Sequence, residues 1–153
     1  MTTNDSEARD RIEIEITYPH PIGRVWHALT DADVLARWFM PNDFVPRLGQ
    51  RFTFRTKPEN GWNGIVTCEI VAIEPPTRIA YTWGNEQLDP PTLVTFTLAE
   101  EGDGTRLRLV HSGFAASGPR GLTIRDILAS GWDSHVLRES LPALLDALAT
   151  EGR

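Results

Sequence analysis

At 153 residues, the chain has the length of one domain rather than two. It carries 15 Lys and Arg against 21 Asp and Glu, a net charge of −6 and a pI near 5.2; without the basic footprint a phosphate backbone demands, nucleic acid is excluded as an expected partner. One cysteine, Cys68, excludes an internal disulfide and any multi-cysteine metal site. No apolar run approaches the ~18–20 residues that cross a bilayer, so membrane insertion is not expected. The opening MTTNDSEARD is polar and acidic, unlike a secretory or mitochondrial signal. Residues 1–10 are therefore expected to be a disordered tail, and 11–150 a single cytoplasmic domain. With 41% hydrophobic residues the chain can bury a core, and 5 of them are tryptophans.

From Arg11 to Tyr18 apolar and charged residues alternate, placing Ile12, Ile14, Ile16 and Tyr18 on one face of a half-buried strand. Pro19 and Pro21 end it, and Pro21 suits the start of a helix. Ile22, Val25, Trp26 and Leu29 then recur at helical spacing. Asp31 is a natural cap for a second short helix with Leu35, Trp38 and Phe39 inward, ended by Pro41. Five strand-like runs follow: GQRFTFRTK with Phe52 and Phe54 inward, NGIVTCEIVAIE up to Pro75-Pro76, RIAYTW, LVTFTLAE and TRLRLVHSGF. Between the first two lies a turn around Glu59-Asn60-Gly61, and Gly102-Asp103-Gly104 makes a tight connection. Ala115 to Gly121 reads as the loosest stretch. The last thirty residues carry two stripes at helical spacing. One comprises Ile124, Ile127, Leu128, Gly131 and Trp132, the other Leu137, Leu141, Leu144, Leu145 and Leu148. Pro142 cannot bond back to the Arg138 carbonyl, so a kink or break is expected there. An α+β domain with a curved antiparallel sheet is the architecture this order implies.

Strand, two short helices, a run of antiparallel strands and a long C-terminal helix is the order of the helix-grip fold. VWHALTDADVLARWF, the Gly64-to-Pro76 strand ending in EPP, RIAYTW, GTRLRLVHSGF and the Gly131-Trp132 pair resemble the homologues of the heat-shock-protein-90 ATPase activator C-terminal domain. These belong to the START-like, birch-pollen-allergen-like superfamily (SRPBCC). The resemblance runs from about Arg11 to Leu148. It implies a six- or seven-stranded sheet gripping the C-terminal helix, with a cavity between them for apolar molecules and, in a minority of members, for chemistry. It also implies a stress-response setting and a chaperone as a candidate partner. Only about ten residues precede the first strand, so no counterpart of the co-chaperone's separate N-terminal domain is expected.

On that architecture Phe54, Tyr81, Trp83 and Phe96 fall on concave strand faces and Trp132 on the helix opposite. Small-molecule sites are commonly built from such aromatic walls with a few polar handles; the alternative is that these rings only fill the core. Trp26 and Trp38, in the short-helix pair, read as plugs for the end of the sheet. Trp62, in the Asn60–Gly64 turn, suits a gate or contact surface. His111 shares the inward face of Leu107 and Leu109, where it could orient a ligand or act as acid or base. The alternative is a core histidine bonded to a hydroxyl such as that of Ser112. His135 and Glu139 lie four apart but have no third ligand, so they read as a solvated helix face. Cys68 reads as a small buried hydrophobe, and Arg106 and Arg108 as outward residues paired with Glu100 or Glu69.

The expected ligand site is therefore Phe54, Trp62, Tyr81, Trp83, Phe96, His111 and Trp132, taking an apolar or aromatic small molecule without chemistry, cofactor or metal. Two alternatives stand beside it. A cyclase- or hydrolase-like enzyme would use His111, and a chaperone-associated domain would expose an apolar patch near Trp62 or on the outer side of the second leucine stripe. Five leucines between Leu137 and Leu148 exceed what one cavity wall requires, which leaves room for a homodimer.

Overall fold

The alternation beginning at Arg11 becomes strand β1 (Arg11–Tyr18) in the computed structural model, which describes residues 10–58, 63–85 and 88–152. Ile12, Ile14 and Tyr18 are buried while Glu13 and Glu15 face water. Asp10, counted with the expected tail, is held against the fold. The Asp10 carboxylate accepts the Gly113 and Ala115 amides at 3.3 and 2.6 Å.

Helices α1 (Ile22–Thr30) and α2 (Ala32–Trp38) follow at the spacing read from the sequence. Pro21 precedes α1 at φ −65°, where a missing amide loses no bond. Asp31 caps α2 by accepting the Val34 amide at 3.1 Å. Trp38 fastens the two helices together, its indole N–H donating to the Ala28 carbonyl at 2.9 Å.

Strands β2 (Arg51–Arg55), β3 (Ile65–Glu74), β4 (Arg78–Asn85), β5 (Leu88–Glu101) and β6 (Gly104–Ser112) complete a six-stranded antiparallel sheet ordered β1-β6-β5-β4-β3-β2. The first and last strands in sequence are neighbours, and α1 and α2 lead the chain from one sheet edge to the other. β5 starts before the expected LVTFTLAE run and includes Pro90 and Pro91. Its register with β4 slips between Trp83 and Asn85. Prolines, lacking a ladder donor, are tolerated at such an irregularity. Arg106 and Arg108 point outward, but they meet Glu101 (3.4 Å) and Glu13 (3.3 Å) rather than Glu100 or Glu69. Glu69 is separated from β6 by two whole strands.

From Phe114 onward the chain is helical in successive registers: a 3₁₀ turn (Phe114–Ser117), α3 (Gly118–Ser130), a π-helical stretch (Gly131–Ser140) and α4 (Leu141–Thr150). The segment from Ala115 to Gly121, expected to be loose, is thus a 3₁₀ turn and the start of a helix. The break expected at Pro142 is a change of register just before it, in which the Leu141 amide bonds the Val136 carbonyl five residues back.

The two apolar stripes fare differently. Leu137, Leu141, Leu144, Leu145 and Leu148 are 0–5% exposed and form the helix side of the core. In the first stripe only Trp132 is buried, and Ile127 faces water. Ile124 and Leu128 pack half-buried against the core, and α3 meets the 3₁₀ turn through Gly121, where any Cβ would collide with the Phe114 carbonyl.

Candidate functional site

Alternation delivers side chains from four strands to the concave face: Phe54 from β2, Tyr81 and Trp83 from β4, Phe96 from β5 and His111 from β6, all buried. Trp132, at the start of the π-helical stretch, meets them from above. Ring centroids lie 5.8 Å apart for Phe54 and Trp83, 6.4 Å for Tyr81 and Phe96, 5.8 Å for Trp83 and Trp132, and 5.9 Å for Phe96 and Trp132. Six of the seven residues expected at the site therefore converge. The seventh, Trp62, lies outside the described residues.

Phe39 belongs to this cluster and was not among the expected site residues. It stacks on Trp132 (5.2 Å, 21°) and meets Phe54 edge-on at 4.8 Å. Its inward position was legible from helical spacing; its reach across to the C-terminal helix depends on the turn after α2. With Phe39 and Trp132 stacked, the space expected as a ligand cavity is filled at its centre by the rings themselves.

One hydrogen-bonded chain runs through these rings. The Trp132 indole N–H donates to His111 Nδ1 at 3.2 Å, and His111 Nε2 lies 2.7 Å from Thr92 Oγ1. Thr92 in turn donates to the Trp83 carbonyl at 2.8 Å. An indole can only donate, so Nδ1 holds a lone pair and the ring proton sits on Nε2. The hydroxyl serving His111 is thus Thr92, not Ser112. Thr92 lies two residues from Val94, the register partner of His111, and shares its inward face. Burial pulls the His111 pKa down to about 3. A neutral imidazole with both nitrogens engaged is poorly suited to acid–base work near pH 7.

The remaining titratable candidates have local roles. Cys68 is buried opposite Phe52, and burial, aided by the Asp43 carboxylate, raises its thiol pKa far from the thiolate range. His135 and Glu139 pair at 3.4 Å on an exposed helix face. Among the described residues, no three His, Cys, Asp or Glu side chains are grouped to hold a metal ion. No helix in the described part is long and apolar enough to cross a membrane. An open groove of about 440 Å³ lies on the opposite, outer face of the sheet, between Arg51, Thr67, Glu69, Thr82 and Pro91. Arg51 and Glu69 pair across it at 3.4 Å. Ile65, Leu88 and Pro91 line it beside these polar groups, and none of its lining residues belongs to the aromatic cluster.

A curved antiparallel sheet closed around a long C-terminal helix, with two short helices after the first strand and an aromatic concave face, defines a START-like (SRPBCC) helix-grip protein. Within that class, the sequence model described as "Activator of Hsp90 ATPase homolog 1-like protein" matches residues 19–146. The chain belongs to that family. Among solved structures it is similar to protein MLL2253 of Mesorhizobium loti, at 34% identity over 90% of this chain and 97% of that one, with a TM-score of 0.76. It is also similar to CalU16 of Micromonospora echinospora (28% identity, 92% and 79% covered, TM-score 0.70). PFC0360w, described as an HSP90 activator from Plasmodium falciparum, shares the fold at 21% identity (83% and 90% covered, TM-score 0.65). No curated protein matches the sequence.

Proposed function

We propose that this protein is a cytoplasmic binding module that holds an apolar or aromatic small molecule between the sheet and the C-terminal helix, without transforming it. The observation that carries this reading is the convergence of Phe39, Phe54, Tyr81, Trp83, Phe96 and Trp132 around a single buried polar chain. Aromatic walls with few, fixed polar groups are how proteins recognise small apolar ligands. These rings touch one another, so ligand entry means displacing one of them. Burying ~300 Å² of apolar ligand surface at about 25 cal/mol per Å² gains roughly 7–8 kcal/mol before association costs, which limits apolar affinity to about micromolar.

Titration of fatty acids, flavonoids and polyketide-like aromatics while following tryptophan emission tests the reading. Saturable quenching or a spectral shift that disappears in Trp83→Ala, with the variant's fold checked by circular dichroism, is the expected result. A flat response across the panel would count against it. The family description and the Plasmodium falciparum neighbour favour a second reading, a chaperone-associated domain. The patch that reading would place on the second leucine stripe is not there, because those leucines are buried. Stimulation of a purified Hsp90 ATPase by this protein would establish it.

A further inference from the structure

We propose that the ligand site takes neutral aromatic molecules bearing a hydroxyl or N–H donor, which replace the Trp132 indole as the hydrogen-bond donor to His111 Nδ1. This rests on the binding reading above and specifies the chemistry of its ligand.

The buried chain has a direction. Its protons run one way: indole N–H to Nδ1, Nε2–H to Thr92 Oγ1, hydroxyl to the Trp83 carbonyl. His111, Thr92 and Trp83 are fixed on three adjacent strands, β6, β5 and β4. Trp132 alone comes from the helix, at the start of the π-helical stretch. Its ring is the one member of the chain not carried by the sheet, and an incoming molecule that displaces it would lie against Phe39, Trp83 and Phe96.

Displacement leaves Nδ1 without its donor. A buried acceptor left unpaired weakens the complex by on the order of ten- to hundredfold. A ligand carrying only C–H edges leaves it unpaired. A carboxylate has no proton to give and brings a charge into a space walled by rings. The Nε2–H cannot turn to meet an anion without abandoning Thr92, and burial keeps the imidazole from acquiring a second proton. A phenol-like or indole-like group matches the vacancy in both shape and proton.

Three probes of one size separate these cases: 2-naphthol, naphthalene and 2-naphthoate, titrated into the whole protein by calorimetry. The expected result is 2-naphthol binding at least tenfold more tightly than either of the others. His111→Phe, which keeps a ring and removes the acceptor, is expected to abolish that preference. Should that variant not fold, the wild-type Trp132 indole N–H resonance serves instead. It is expected to shift toward a free-indole position as 2-naphthol saturates the protein. Naphthalene binding as tightly as 2-naphthol would overturn the inference while leaving the binding reading intact. So would a naphthol preference that persists undiminished in His111→Phe, or a Trp132 resonance that does not move. No binding of any probe would remove the binding reading and the inference together.

Discussion

His111 shows how much one buried residue is shaped by its partners. Alternation along TRLRLVHSGF places it inward, and the bare position permits either a ligand contact or a satisfied core histidine. The structure holds it between Thr92 and Trp132, so its Nδ1 lone pair is open to a ligand only where Trp132 gives way. Its protonation has a measurable consequence for the whole fold. In the unfolded chain His111 takes up a proton near its ordinary 6.5, whereas in the folded protein it does so only near 3. Between those values the unfolded state holds a proton the native state refuses, so stability rises with pH across that window and gains nothing more from this group above it. Acidification below pH 6.5 is therefore expected to lower the unfolding free energy by up to about 1.4 kcal/mol per pH unit from this residue. Urea unfolding of wild type and His111→Phe from pH 7.5 to 4.5 checks it. The variant should lack that one-proton slope, and parallel curves would contradict the assignment.

At the level of elements, the C-terminal helix is where local chemistry and tertiary structure meet. Pro142 signalled an interruption but not its form. In a continuous α-register the Leu141 amide would bond the Leu137 carbonyl; here it bonds Val136 instead. In the π-register the donor for Leu137 would be the amide of residue 142, which proline lacks. That carbonyl is consequently orphaned by its own helix, and the Tyr18 hydroxyl from β1 supplies the bond at 2.6 Å. Burial raises the Tyr18 pKa, which keeps the hydroxyl protonated as a donor. No periodicity argument could pair Tyr18 with Leu137, because the need arises only once the register has changed. Tyr18→Phe is expected to cost about 1–3 kcal/mol by leaving the carbonyl bare. Pro142→Ala restores an amide at the right position, so the double variant should lose less than the sum of the two single changes, by about 1 kcal/mol. Denaturant unfolding of all four proteins measures that coupling, and strict additivity would sink the explanation.

For the molecule as a whole, element order and inward faces were legible because burial repeats every two or 3.6 residues. The helix-grip architecture and six converging site residues followed from that repetition. What eluded the sequence were relations that depend on the assembled shape. Examples are the stacking of Phe39 on Trp132, the Thr92 hydroxyl as partner of His111, and the close approach of α3 to the 3₁₀ turn at Gly121. The leucines of the C-terminal helix belong to the same class. Counted along the helix they exceed one wall of a cavity and suggest a second chain. In the fold, α1 and α2 as well as the sheet cover the helix, and five leucines between Leu137 and Leu148 are 0–5% exposed, so the surplus is accounted for within one chain. The two origins of that burial predict different behaviour for Leu145→Ala. A leucine at a dimer seam would, when truncated, halve the mass in sedimentation while leaving the protomer folded. A leucine in the core should instead cost about 2–5 kcal/mol of unfolding free energy and leave the sedimentation coefficient of the native protein unchanged. The second outcome is expected, and a change of mass without loss of stability would return these leucines to an interface.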